Sequence, residues 1–218
     1  MKKSVIVIGT IVLAAVAFIG GSRLYQQSQT SERAGLASSR SANLVRPHSP
    51  IFGSESAKVT IVEFLDPACE TCGAMAPLVK SLVTASFGQV RLVVRYAPLH
   101  QGSDQIVRIL EAARLQGKYW QALDAVLASQ SMWASHDNPR PELVWNIIGN
   151  VGVDIAQAKA DLQNPKITEA LRLDREDLVA LKVTKTPEFF VNGKPLPQFG
   201  SEQLKALVKS ETRLAYGQ

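Results

Sequence analysis

VTIVEFLDPACETCGAMAP, residues 59–77, is the stretch from which this 218-residue chain is best read. It holds both cysteines of the sequence, Cys69 and Cys72, in a Cys-x-x-Cys arrangement. Ahead of them, Val59–Leu65 has the β-branched and aromatic character of a fully buried strand, interrupted by one acid, Glu63. Behind them, Gly73–Ser86 places Met75, Leu78, Val79, Leu82 and Val83 on one helical face. Cys69 is therefore expected near a helix N-terminus, where unpaired amides and the positive end of the helix dipole stabilise a thiolate. A thiolate is the nucleophile of disulfide exchange. Cys72, one turn further in, would be shielded and placed to attack a mixed disulfide on Cys69.

Toward the N-terminus, Met1-Lys2-Lys3 is followed by no charged residue until Arg23. The apolar run Ser4–Ser22 is just long enough to span a hydrocarbon core, and the basic flank argues that the N-terminus stays in the cytoplasm. Ala15-Val16-Ala17 also fits a signal-peptide cleavage site. Phe18-Ile19 continue the run past it, which favours an uncleaved signal-anchor over residues 1–22. Either reading places the body outside the cytoplasm, where disulfides form. Residues 23–53, rich in Ser, Gln, Arg and Ala, read as a flexible tether. The net charge of +5 comes with no basic stripe interleaved with aromatics, so nucleic acid is not an expected partner.

Downstream, Val90–Tyr96 reads as a second strand, making a βαβ unit whose strands are parallel with a right-handed crossover. Residues 103–182 carry only helical signals. Gly117 is a stop, Asp137-Asn138-Pro139 a start, Asp154 a cap and Pro165 a first-turn proline. Leu171, Leu178 and Leu181 are assigned to the inner face of the last of these helices, Asp174 and Glu176 to solvent. Glu188–Val191 is a short strand and Asn192-Gly193 a hairpin turn signal. Pro195 and Pro197 confine the next strand to an edge. A last helix, Ser201–Ala215, turns Leu204, Leu207, Val208 and Leu214 inward. The expected fold class is α/β: βαβ, a helical insertion, then ββα. Residues 54–102 and 183–218 form one domain, and 103–182 an inserted helical subdomain.

In this order, and in several positions around the cysteines, the chain resembles the DsbA-like thiol:disulfide oxidoreductases of the thioredoxin superfamily. Cys69-Glu70-Thr71-Cys72 falls between the first core strand and its helix. Glu63 lies six residues before the first cysteine, where the family carries a buried acid, and Pro77 lies where thioredoxins kink the active-site helix. Thr186-Pro187 begins the third core strand, where the family has a cis-proline facing the cysteines. Gln116-Gly117-Lys118-Tyr119-Trp120 also looks like the DsbA-like group. The resemblance implies Cys69 and Cys72 as the catalytic pair, Glu63 as a proton carrier for Cys72, and Thr186 and Pro187 as a platform for an extended substrate. It implies no cofactor or metal beyond the redox-active disulfide. Implied partners are exported proteins with thiols or disulfides and a membrane redox partner, either a quinone-linked oxidase or an electron-delivering reductase. The chain would act as a monomeric enzyme in the bacterial periplasm or at the outer face of the cytoplasmic membrane.

A zinc site needs two more ligands, and His48, His100 and His136 show no paired spacing. His100 reads best as a solvated loop residue, and Trp120, Trp133 and Trp145 as packing residues. Glu63 alternatively pairs with a lysine such as Lys58. Where the strongest oxidants of the group carry histidine or proline between the cysteines, this chain has Glu70-Thr71. A carboxylate beside Cys69 disfavours its thiolate, which implies a more reducing protein. Disulfide donation is slightly favoured; an isomerase or reductase, or a tethered binding module without redox turnover, are the alternatives.

Overall fold

The computed structural model describes the backbone of residues 2–39 and 41–217, and the side chains of residues 11–32, 34–35 and 42–217. Its centre is a five-stranded sheet in the order β1-β3-β2-β4-β5. The strands are β1 (Ile51–Gly53), β2 (Val59–Leu65), β3 (Val90–Tyr96), β4 (Glu188–Val191) and β5 (Lys194–Pro195). β2 runs parallel to β3, with Glu63 opposite Val94, and antiparallel to β4, with Glu63 opposite Phe189. The parallel pair needs a crossover, supplied by α2 (Glu70–Thr84). Asn192 and Gly193 both have positive φ, 48° and 81°, as a tight turn between twisted strands requires.

Both sheet faces are covered. Ile61, Leu65, Leu92 and Val94 enter the main core with Met75 and Val79 of α2. Val62, Phe64 and Val93 pack on the other side with Leu44, Leu181, Val183 and Phe190. Because side chains alternate along a strand, Glu63 shares the first face and Arg95 the second.

Between β3 and β4 the chain forms α3 (Ser103–Leu115), α4 (Tyr119–Ala128), α5 (Gln130–Trp133), α6 (Val144–Gly149), α7 (Ile155–Asp161) and α8 (Pro165–Ala180). Asp154 caps α7 by accepting from the Gln157 amide, and Asn164 caps α8 by accepting from the Lys166 amide ahead of Pro165. The helical start expected at Asp137-Asn138-Pro139 falls slightly later, in a 3-10 turn over Pro141–Leu143 that leads into α6. The final helix, α9 (Ser201–Tyr216), buries Leu204 and Val208. Leu214, expected inward, is 71% exposed; Glu211 is buried instead, its Oε1 2.6 Å from Lys194 Nζ on β5.

The segment read from composition as a flexible tether is ordered differently. Residues 23–39 continue α1 (Lys2–Ser39), and its second half lies against the sheet edge. Thr30 Oγ1 donates to Pro197 O at 3.3 Å, and Lys182 pairs with Glu32. The docked face is polar, so no apolar period marked it. Leu44 is buried in the second core, and β1 pairs antiparallel with β3. The apolar run Ser4–Ser22 belongs to the same helix, but the side chains of its residues 4–10 lie outside the described residues. Among the described residues, no helix is long and apolar enough to cross a membrane.

Asp174, expected at the surface, is 1% exposed. It lies under the second sheet face with Asp177 and Arg95. Arg95 Nη2 donates to Asp174 Oδ1 and Asp177 Oδ2, both at 2.7 Å. Arg46 donates to Asp177 at 2.7 and 2.8 Å. His48 Nε2 is 2.6 Å from Asp174 Oδ1, and the Tyr96 amide donates to Asp174 Oδ2 at 2.8 Å. This cluster joins the segment before β1, β3 and α8. Buried charges survive in a low-dielectric interior when each is paired and hydrogen-bonded.

Candidate active site

Cys69 is the N-cap of α2, with extended backbone (φ −74°, ψ 116°). Both cysteines are free thiols; Cys72 is fully buried and Cys69 nearly so. Cys69 Sγ donates to Thr186 O at 3.3 Å, and the Thr186–Pro187 peptide is cis. The two thiols differ in acidity. Cys69 is lowered to about 5, chiefly by the hydrogen bond from Cys72; burial opposes this, while the Thr186 side chain and the amides of Cys72 and Thr71 add to it. Cys72 is pushed far up by that same hydrogen bond, by burial and by the charge of Glu63. One sulfur is therefore a nucleophile at neutral pH, and the other keeps its proton.

Thr186 Oγ1 is buried with no hydrogen-bond partner among the described residues. Pro187, beside it, is buried at the start of β4.

Glu63 is buried at the middle of β2, and its Oε1 has no hydrogen-bond partner among the described residues. Its pKa is raised to about 8, first by burial and then by the charge of Cys69. Lys58, the alternative partner, lies instead over the Tyr216 ring at 4.9 Å. The carboxyl borders a narrow cavity that is also lined by Lys80, Trp120 and Asp124. A carboxyl that titrates near neutrality is suited to giving and taking a proton at pH 7.

Sequence reasoning missed the side chains that hold the loop. Asp66 is fully buried. It accepts from the amides of Ala68 at 2.9 Å, Leu99 at 2.7 Å and His100 at 2.8 Å, and from the Ser103 hydroxyl. His100 Nδ1 lies 2.7 Å from Asp66 Oδ2, so His100 is a bound residue and not the solvated one expected. A signal for this pair did exist: Asp66 and His100 each follow the carboxyl end of a parallel strand, and adjacent parallel strands bring such loops together. Gln130 of α5 donates from Nε2 to Pro67 O at 2.8 Å and Cys69 O at 2.9 Å. Gly73 leaves the room this needs, since a Cβ there would meet Gln130 Cδ at 3.0 Å. His136 Nε2 is 2.8 Å from Glu70 Oε1. The Glu70 carboxylate, held low by its own backbone amide and by His136, is engaged rather than free beside Cys69. Of the tryptophans, Trp133 is a core residue donating to Val126 O at 3.0 Å, and Trp120 packs against Phe52.

The thioredoxin family model matches residues 46–210. Among solved structures, the chain is similar to a thioredoxin-like oxidoreductase from Silicibacter pomeroyi DSS-3. That likeness has 30% identity and a TM-score of 0.69, and covers 81% of this chain and 98% of the other. The thiol-disulfide exchange protein alpha-DsbA2 from Wolbachia pipientis shares the fold, with a TM-score of 0.71 at 20% identity, over 84% of this chain and 97% of that one. A Na(+)/H(+) antiporter NhaA from Herminiimonas arsenicoxydans is 35% identical over 147 residues, 67% of this chain, but the match spans only 22% of the antiporter's length. The chain belongs to the thioredoxin family.

Proposed function

We propose that this protein exchanges disulfides with exported proteins through Cys69 and Cys72, with disulfide donation as the favoured direction. The observation that supports this most is the split in thiol acidity: Cys69 is lowered to about 5, while its neighbour Cys72 is driven the other way. In donation, a substrate thiolate attacks Cys69 of the oxidised pair. The Cys69–Cys72 bond breaks, Cys72 leaves as a thiolate, and protonated Glu63 supplies its proton. A second substrate thiolate then attacks the substrate sulfur of the mixed disulfide and releases the Cys69 thiolate. The substrate dithiol has become a disulfide, and the protein's disulfide a dithiol. Leaving-group stability favours this direction, because a Cys69 thiolate of low pKa departs readily. Thr186 and Pro187 would hold an extended substrate segment beside Cys69 by strand addition.

Reoxidation needs a partner, and a quinone-linked membrane oxidase fits donation. The apolar run Ser4–Ser22 would station the domain at the outer face of the cytoplasmic membrane and raise its effective concentration there. The antiporter relative, in which the similar region is about a fifth of a longer chain, is in keeping with work beside a membrane. A reductase or isomerase is the second reading. Glu70 between the cysteines favours it, because a carboxylate there opposes the thiolate.

Acid trapping of the native cell envelope, followed by alkylation with a mass tag, separates the two. A pair that is mostly oxidised supports donation; a pair that is mostly reduced supports a reductase or isomerase supplied with electrons. Cys69→Ser separates both from a binding module, which would keep its function.

A further inference from the structure

We infer that α1 forms one wall of a polypeptide-binding cleft next to the reactive pair, and that this cleft takes an extended substrate segment with an aromatic and an acidic side chain beside its cysteine. The inference rests on the exchange reaction proposed above and adds a substrate class to it. The cleft has a volume of about 350 Å³ and lies between α1 on one side and β4 with the loop after β5 on the other. Pro187 is part of its lining. The residue before it, Thr186, accepts the Cys69 Sγ hydrogen bond through its carbonyl at 3.3 Å. The cleft therefore begins one residue from the group that touches the reacting sulfur.

From α1 the lining takes Tyr25, Gln26, Gln29 and Thr30, whose i, i+1, i+4, i+5 spacing puts them on one helical face. Two polar contacts hold the helix there: Thr30 Oγ1 donates to Pro197 O at 3.3 Å, and Glu32 pairs with Lys182. β5 is only Lys194–Pro195, and Pro197 follows it, so the outer edge of the sheet has few amides to offer an added strand. A segment paired with the Thr186 backbone is continued by the cleft, not by β5.

The lining also selects what fits. Tyr25 is 68% exposed and Phe199 44%, one ring from each wall. Aromatic side chains left open in a cleft are the usual anchors of an interface. Gln26, Gln29 and Gln198 each offer a donor and an acceptor, as the backbone of an extended chain requires. Of the charged residues in the lining, Glu188 is buried and Lys185 is exposed. The accessible charge is positive and favours an acidic side chain. The volume is that of a small-ligand pocket, room for a few side chains and not for a folded surface.

The test uses the purified full-length protein in detergent micelles and two reduced peptides with the same pair of cysteines. One carries phenylalanine and aspartate beside its first cysteine, the other alanine and asparagine. Oxidation of each by the disulfide form gives kcat and KM. Wild type should prefer the first peptide by about tenfold in kcat/KM, mostly through KM, the scale of one interface anchor. Tyr25→Ala combined with Phe199→Ala should remove the aromatic part of that preference, and Lys185→Gln the acidic part. All three side chains are exposed, so these variants should fold. No preference in wild type, or the same preference in the variants, overturns the inference. As a readout free of chemistry, serine versions of the peptides should shift the amide NMR signals of residues 25–30 and 196–199. Shifts confined to residues 69–72 and 186–187 overturn the inference. Shifts of the cleft signals with protein concentration alone would assign the cleft to a second copy of the chain and also overturn it. Wild type that binds the serine peptide in the cleft but oxidises neither cysteine peptide would instead sink the exchange reaction and support the cleft.

Discussion

Glu63 and Arg95 are both charged residues buried at the centre of one sheet, on adjacent strands and opposite faces, yet they are treated in opposite ways. Arg95 meets two aspartates, and those aspartates are also bound by Arg46, His48 and a backbone amide. Glu63 is left with an oxygen that has no partner among the described residues, and its pKa rises to about 8. A buried charge with every bond made is fixed in one state and holds elements together. A buried carboxyl without partners titrates where it is useful and weakens the fold in doing so. Glu63 lies beside the two thiols; Arg95 lies beneath the far face. The contrast separates the working side of the sheet from its anchoring side.

The contrast can be broken in several ways, beginning with the largest effect. Cys69→Ser should reduce exchange to background, whereas Cys72→Ser should accumulate a mixed disulfide that mass spectrometry of acid-trapped protein detects. Turnover surviving in Cys69→Ser would remove the working side altogether.

Glu63 carries a pH signature. Its folded pKa lies above its ordinary value of 4.5, at about 8, so the stability it contributes is full below pH 4.5 and falls as pH rises to about 8. Linkage puts the loss at on the order of 5 kcal/mol. Glu63→Gln should flatten denaturant-measured stability over that window, make the protein more stable than wild type at pH 8, and slow resolution by Cys72. A destabilised Gln variant at pH 8 would show that Glu63 resembles Arg95 after all.

Arg95→Met should cost about 3–5 kcal/mol, because Asp174 and Asp177 are left buried without their cation. Urea unfolding reads this loss, and the Cys69 midpoint should not move. A moved midpoint would mean that the two faces are coupled. The smallest effect is expected at Gln130→Ala, which removes two hydrogen bonds to the carbonyls of Pro67 and Cys69. Thermal unfolding should register about 1–2 kcal/mol.

What could be read in the sequence was what is local. A lone acid in an otherwise apolar strand pointed to Glu63, Asn192-Gly193 to a hairpin, and Asp154 and Pro165 to helix starts. Cys-x-x-Cys between a strand and a helix placed the thiols. What could not be read depends on partners distant along the chain. Asp174 looked like a surface residue because the arginine that makes its burial tolerable is 79 residues away. Glu211 is buried only because Lys194 reaches it, and Leu214 is left outside. The second half of α1 meets the rest of the fold through Thr30, which donates to Pro197 O, and Glu32, which pairs with Lys182, polar contacts with no hydrophobic period to announce them. His136 meets Glu70 across 66 residues, and nothing near either residue in the chain marks the pairing.

The most direct test of the account is the alkylation rate of each cysteine, resolved by mass, as a function of pH. The account predicts that Cys69 titrates near pH 5 while Cys72 stays unreactive over the same range. A Cys69 midpoint near the ordinary thiol value of 9.0, or equal reactivity of the two sulfurs, would contradict it.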